Sequence, residues 1–120
     1  MILIGGFQED DLAEFRRQVS EQGRQVRAAA HPVSAIEKAA SSGVKALVVL
    51  LGAEDREWLE FIPVFNHLFP GIPVIVVAAQ DSLETERQAR QGKIFYYLLK
   101  PIDWLEMRAV LHKAIEKAEV

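Results

Sequence analysis

The stretch Val44-Lys45-Ala46-Leu47-Val48-Val49-Leu50-Leu51 contains a single charged residue and is otherwise made of aliphatic side chains. A strand that is apolar on both faces is typical of a parallel sheet covered by helices on both sides, because neither face meets water. The stretch therefore predicts a central buried strand. Residues 72–79 have the same character and predict a second one.

Working outward from this stretch, apolar runs alternate with amphipathic segments five times, and Gly or Pro separates them. Such alternation predicts βα units around a parallel sheet. The other strands are predicted at residues 1–4, 26–30 and 94–99, and the helices at residues 12–23, 32–43 and 54–69, after residue 81 and after residue 103. Five such units in 120 residues predict one flavodoxin-like (βα)5 domain spanning residues 1–120, a doubly wound sheet with strand order 2-1-3-4-5.

Three helix boundaries have recognisable signals. Pro63 lies inside the third helical segment, so the helix either kinks there or begins near Ile62 with the proline in its first turn. Asp81 followed by Glu84 has the spacing of a capping box, and Asp103 stands in the same relation to the fifth helix.

Composition excludes several classes of function. The chain has a net charge of −3 and no cysteine, which rules out disulfides, thiolate nucleophiles and cysteine-ligated metals. Its first residues lack the basic and apolar regions of a signal peptide, and no apolar run approaches the roughly 20 residues of a membrane span. We therefore expect a cytoplasmic protein with no membrane association. The nearest approach to a basic cluster alternates with acidic residues and argues against nucleic-acid binding; it consists of Arg16, Arg17, Arg24 and Arg27.

The segment Tyr96-Tyr97-Leu98-Leu99-Lys100-Pro101-Ile102-Asp103 resembles the end of the fifth strand in the receiver (CheY-like) domains of response regulators, where an aromatic residue, two apolar residues and Lys-Pro lead into the last helix. Supporting matches cover the whole chain and include Ile2-Leu3-Ile4, Ala35-Ile36 and residues 73–79. The resemblance implies the receiver fold, a place in two-component signalling and a cis peptide bond before Pro101.

Receiver domains accept a phosphoryl group on an aspartate at the end of the third strand, beside a Mg²⁺ ion held by that aspartate and by an acidic pair after the first strand. The resemblance places the acidic pair at Gly6 and Phe7, the acceptor at Leu51 or Gly52, and the hydroxyl residue after the fourth strand at Ala78. A Mg²⁺ site needs oxygen ligands, and these positions have none. The sequence therefore predicts a pseudo-receiver with no phosphoryl acceptor, metal, cofactor or enzymatic activity. The receiver positions that it retains are Tyr97, Lys100 and Pro101.

Several remaining residues have two interpretations. Glu9, Asp10 and Asp11 either form a displaced metal cluster or, as we expect, interact favourably with the dipole of the first helix from its first turn. Residues 54–55, both acidic, either serve as a shifted acceptor or start the third helix. Lys100 either binds an anion or a partner, or is retained because the Lys-Pro corner shapes the turn. Gly5-Gly6 is interpreted as a tight turn.

The last helical segment reaches residue 120 with neither Gly nor Pro to end it. Either it continues into a linker and a C-terminal output domain, so that the chain is the N-terminal part of a longer signalling protein, or it frays at this point.

These observations favour a signalling module that acts by protein contacts without phosphorylation. Tyr96 and Tyr97 point to opposite sides of the fifth strand, and the fourth helix beside them is sparse in apolar residues. We expect the fourth helix, fifth strand and fifth helix to form a face that binds a protein partner or a second copy, using Leu83, Tyr96, Tyr97 and Trp104. Two alternatives stay open: a receiver phosphorylated on a non-standard acid in a phosphorelay, and a small-ligand-binding or enzymatic flavodoxin-like domain.

Overall fold

The apolar stretch quoted first forms the middle strand of a five-stranded parallel sheet with order β2-β1-β3-β4-β5, in a computed structural model that describes residues 1–6, 9–21, 23–41, 43–52, 56–79 and 83–118. The strands are β1 (Ile2–Gly5), β2 (Val26–Ala29), β3 (Ala46–Leu51), β4 (Val74–Ala78) and β5 (Tyr96–Leu99). The predicted strand order and fold class are confirmed. All residues of β1, β3 and β4 are buried, as strands covered on both faces must be.

Five helices cover the two sides of this sheet. They are α1 (Glu9–Ser20), α2 (Pro32–Ser41), α3 (Arg56–Leu68), α4 (Leu83–Gln91) and α5 (Trp104–Ala118). Phe15 of α1 and Leu111 of α5 share one core cluster with Ile4, whereas Phe65 of α3 packs with Leu47 in the other. The sheet is therefore doubly wound, with α1 and α5 on one side and α2, α3 and α4 on the other. No helix within the described ranges is both long enough and apolar enough to cross a membrane.

The third helix runs through its proline. It begins at Arg56 and includes Pro63, so the alternative in which it starts near Ile62 is wrong. A proline inside a helix costs about 3 kcal/mol, whereas each large apolar side chain that becomes buried contributes about 1.5–3 kcal/mol. The helix buries five such side chains on either side of the proline, and this burial outweighs the cost of the interruption; they are Trp58, Leu59, Phe61, Ile62 and Phe65.

Two of the predicted helix ends are visible as capping geometry. Gly23 has a φ of +74° and donates its amide to the Ser20 carbonyl at 2.9 Å, which ends α1. The Asp103 carboxylate accepts the amides of Leu105 and Glu106 at 3.0 and 3.3 Å and starts α5. Residue 81 lies outside the described part, and its capping role stays a prediction.

Candidate functional site

The carboxyl end of β1 is covered by an indole ring. Trp58, in the first turn of α3, is 3% exposed and lies directly on Gly5 and Gly6. A Cβ atom added at Gly5 would overlap with Cη2 of Trp58 and lie 2.5 Å from its Cζ3. At Gly6 it would lie 2.8 Å from the Leu50 carbonyl oxygen and 3.3 Å from Cδ1 of Trp58. The two glycines are therefore required by the indole as well as by the turn.

Gly6 also has a backbone conformation that disfavours side chains. Its φ of +67° lies in the left-handed region, where residues with a Cβ are strained. An acidic residue at this position would meet both that strain and the indole. Local packing thus requires a glycine at position 6, which the resemblance assigns to the first member of the acidic pair; Phe7, the second position, lies outside the described residues.

The predicted acceptor position lies inside the apolar core. Leu51 ends β3, is 2% exposed and belongs to the same core cluster as Trp58. It is aligned with Ala78 across the β3–β4 ladder, and Ala78 is 1% exposed. Gly52, the other candidate position, follows the strand and is half-buried. Leu51 and Ala78, to which the resemblance assigns the acceptor and the hydroxyl group, are therefore buried apolar neighbours at the carboxyl end of the sheet. Among the described residues, no three His, Asp or Glu side chains are grouped closely enough to hold a metal ion.

The retained lysine forms an ion pair within the domain. Lys100 Nζ lies 2.5 Å from Oδ2 of Asp11, and the two side chains are 23% and 29% exposed. Asp11 lies in the first turn of α1, as predicted, but its two sequence interpretations, a dipole interaction and a displaced metal cluster, did not include an ion pair. Neither interpretation of Lys100 included this contact, which joins residues 89 positions apart. Electrostatics could have predicted such a contact, because a partly buried ammonium group normally requires a carboxylate nearby.

The Lys100–Asp11 pair borders a shallow depression beside the carboxyl end of β5. Its lining comprises Asp11, Glu14, Ala79, Lys100, Pro101, Ile102 and Trp104. The peptide bond between Lys100 and Pro101 is cis, which confirms that expectation. The lysine ammonium is therefore directed at a carboxylate of its own chain.

The two tyrosines of β5 lie on opposite sides of the sheet. Tyr96 is 40% exposed and its hydroxyl lies 3.5 Å from a carboxylate oxygen of Glu106 in α5. Tyr97 is half-buried on the other side, where the guanidinium of Arg90 in α4 lies 5.9 Å from the centre of its ring. The prediction that the two tyrosine rings lie on opposite sides of β5 is confirmed.

The other two residues assigned to the interaction face are placed differently from each other. Leu83 at the start of α4 is exposed. Trp104 is half-buried and packs edge-on against Phe15 of α1, with ring centroids 5.5 Å apart, so it contacts the core on the α1 side. Two exposed residues of the same region were missed by the sequence analysis, Leu99 and Leu105. For Leu99, strand alternation was the available signal, because it buries Leu98 and turns Leu99 outward.

The arginines near β2 are partly neutralised within the domain. Arg17 donates two hydrogen bonds to Glu14, at 2.7 and 3.1 Å, and these bonds lower the pKa of the Glu14 carboxyl and raise the pKa of Arg17. Arg16 donates to the Val26 carbonyl at 3.2 Å. Arg16 and Arg17 are thus both engaged in contacts within the domain.

Comparisons with known proteins agree with this architecture. No protein-family model matches the chain. The "DNA-binding transcriptional regulator NtrC" of Proteus hauseri is 27% identical over 99 residues, or 82% of this chain, and the aligned region is 21% of the regulator. The chain thus spans about a fifth of that relative's length.

Two solved structures show the same fold over 98% of the chain. The signal receiver domain of an HD-domain-containing protein from Pseudomonas fluorescens Pf-5 has a TM-score of 0.88 and 22% identity, with 95% of that chain covered. The beryllofluoride-activated NtrC4 receiver domain dimer has a TM-score of 0.85 and 20% identity, with 97% covered. Together with the strand order and the Lys-Pro corner, these likenesses show that the chain has the fold of the CheY-like receiver domains of response regulators.

Proposed function

We propose that this domain is a degenerate receiver that transmits signals by protein–protein contact and is not switched by phosphorylation. The observation that carries the proposal is the indole of Trp58 seated on Gly5 and Gly6, at the end of the sheet where a receiver binds Mg²⁺. An indole offers no oxygen ligand, and Mg²⁺ needs several. Phosphoryl transfer without the metal and without a carboxylate nucleophile lacks both of its main chemical supports.

The Lys100–Asp11 pair supports the same proposal. In a phosphorylated receiver the lysine offsets the charge of the phosphoryl group. Here a carboxylate of α1 already offsets the ammonium charge. A phosphoryl group would therefore have to displace an existing partner.

The contact surface that we propose is the α4–β5–α5 face. Seven large hydrophobic side chains are exposed in the described part of the chain, and four of them belong to these three elements: Leu83, Tyr96, Leu99 and Leu105. β5 is an edge strand, so one side of it has no neighbouring strand. Exposed apolar side chains beside a sheet edge are typical of interaction sites.

Beryllofluoride with Mg²⁺ is the first test, because it mimics the phosphoryl group in receivers that have the acidic residues. We expect the amide NMR spectrum of this domain to be unchanged by the mixture. An active receiver measured in parallel is the positive control. Saturable shifts at Lys100 and at the ends of β1 and β3 would contradict the proposal, and shifts confined to residues 53–55 would instead favour phosphorylation on a non-standard acid.

Self-association is the second test, since a second copy is the partner that the α4–β5–α5 face can be tested against directly. Leu105 is 75% exposed. Burial of one leucine contributes about 1.5–3 kcal/mol, so Leu105→Asp should weaken the dimer by about 10-fold or more. Leu68→Asp, on the other side of the sheet, is the matched control because Leu68 is also exposed. Sedimentation equilibrium measures both. Equal effects, or a monomer at all concentrations, would contradict a homodimer through this face.

A further inference from the structure

A cavity of about 360 Å³ lies beside the beginnings of β4 and β5, at the opposite end of the strands from the degenerate receiver site. Its walls come from the end of α3, the connection into β4, the connection into β5 and the last turns of α5. About half of its inner surface is apolar, and the apolar side chains that line it include Ile72, Val74, Ile94, Phe95 and Ala114. Its volume lies at the small end of the range of about 300–1,000 Å³ that is usual for small-molecule sites.

Hydrogen bonds hold the walls of this cavity in place. The Asn66 side chain accepts a hydrogen bond from the Lys93 backbone amide at 2.7 Å and donates one to the Lys93 carbonyl at 2.9 Å. These two bonds fix the connection before β5 against α3. The adjacent Gly92 allows this close approach, because a Cβ there would overlap with Ile62. The Phe95 amide donates to the Val74 carbonyl at 2.7 Å across the cavity floor. The cavity is therefore formed without a ligand.

The charge of the cavity is positive. Lys93 and Lys117 line it, and none of the other lining residues that the structure describes is acidic. The ammonium of Lys117 lies 5.9 Å from the centre of the Phe95 ring, in a cation–π contact that holds it above the apolar floor. No ion pair within the described ranges involves either lysine. Two ammonium groups without carboxylate partners, beside an aromatic wall, are suited to an anion that also has an apolar body.

We propose that this cavity binds a small organic acid, with its apolar body against Phe95 and Ile72 and its carboxylate between Lys93 and Lys117. The site is separate from the receiver positions, so it does not depend on the function proposed above. The size of the cavity favours a compound with one ring or a short branched chain. Such a ligand makes few contacts, and we expect a dissociation constant of about 1 mM, as is typical of compounds of about ten non-hydrogen atoms.

Phenylacetate is the probe for this proposal, and phenylacetamide, which has the same shape without the charge, is the matched neutral compound. Titration of the full chain, followed by amide NMR, should give saturable shifts at Asn66, Lys93 and Phe95 with phenylacetate. Phenylacetamide should bind at least about fivefold more weakly, because a charge-assisted contact is worth about 1 kcal/mol or more.

The lysines are tested by neutral substitutions at exposed positions, which leave the fold intact. Lys117→Gln and Lys93→Gln should each weaken phenylacetate binding about threefold or more, whereas Lys113→Gln, on the same helix but outside the cavity, should leave it unchanged. The proposal is overturned if phenylacetate and phenylacetamide bind equally, if the shifts lie elsewhere on the domain, or if neither lysine variant differs from the control. The absence of saturable shifts at tens of millimolar phenylacetate overturns it as well.

Discussion

Replacement of Trp58 by alanine is expected to lower the free energy of unfolding by about 3–5 kcal/mol, the usual cost of deleting a large buried aromatic side chain. The ring is 3% exposed, lies on Gly5 and Gly6 and makes an edge-on contact with Phe61 at 5.6 Å between centroids. Urea denaturation followed by circular dichroism measures the change. Trp104→Ala is the control and should cost less, because Trp104 is only half-buried.

The fit of the indole to the glycines is tested by a double-mutant cycle. In the wild-type background Gly5→Ala should cost about 1–3 kcal/mol, because the added methyl group overlaps with the ring. In the Trp58→Ala background the same change should cost nothing or stabilise slightly, because Gly5 has no positive φ and the ring is gone. A coupling energy below about 0.5 kcal/mol would show that the two sites are independent and that the indole ring does not require glycine at position 5.

Aspartate at position 51 is expected to destabilise the domain by more than about 3 kcal/mol at neutral pH, because a charge placed in an apolar site keeps little of its hydration. Leu51 is 2% exposed and belongs to the core cluster that includes Val49 and Trp58. Gly52→Asp, at the half-buried neighbouring position, is the matched control and should cost less.

The pH dependence of the Leu51→Asp variant provides a second measurement. Burial raises the pKa of the introduced carboxyl above its ordinary value of about 3.9. A raised pKa in the folded state means that folding is least penalised below about pH 3.9 and that stability falls as pH rises through the folded-state pKa. The difference from wild type should therefore be smaller at pH 5 than at pH 8. A pH-independent difference below about 1 kcal/mol would indicate that water or a cation reaches this position.

Local patterns were sufficient to predict the fold. Residues 46–51 are apolar at every position, so this stretch alone predicts a strand that is buried on both faces. Four of the five predicted strands nevertheless began too early, and only the start of β2 at Val26 was predicted correctly. β4 begins at Val74 because the amide of Ile72 donates to the Phe69 carbonyl and Pro73 has no amide hydrogen to donate to a neighbouring strand.

The resemblance assigns the receiver-site positions to Gly6, Leu51 or Gly52, and Ala78, and this assignment stays a prediction. The structure places these residues together at the carboxyl end of the sheet, but their contacts could not be predicted from the sequence. The packing of Trp58 against Gly5 and the ion pair between Lys100 and Asp11 join residues far apart in the chain. Periodicity and spacing describe neighbours, so neither contact had a local signature.

The indole on the two glycines also affects how this domain can evolve. A lineage that acquired an acidic residue at position 6 would first meet a strained backbone and the indole ring, and one that acquired an acid at position 51 would first bury an unpaired charge. Either single step costs stability before any chemistry is gained, and natural domains have only about 5–15 kcal/mol to lose. A working acidic site would require the removal of Trp58 and the introduction of several acids together. Packing around Trp58 therefore opposes the stepwise appearance of such a site at this end of the sheet.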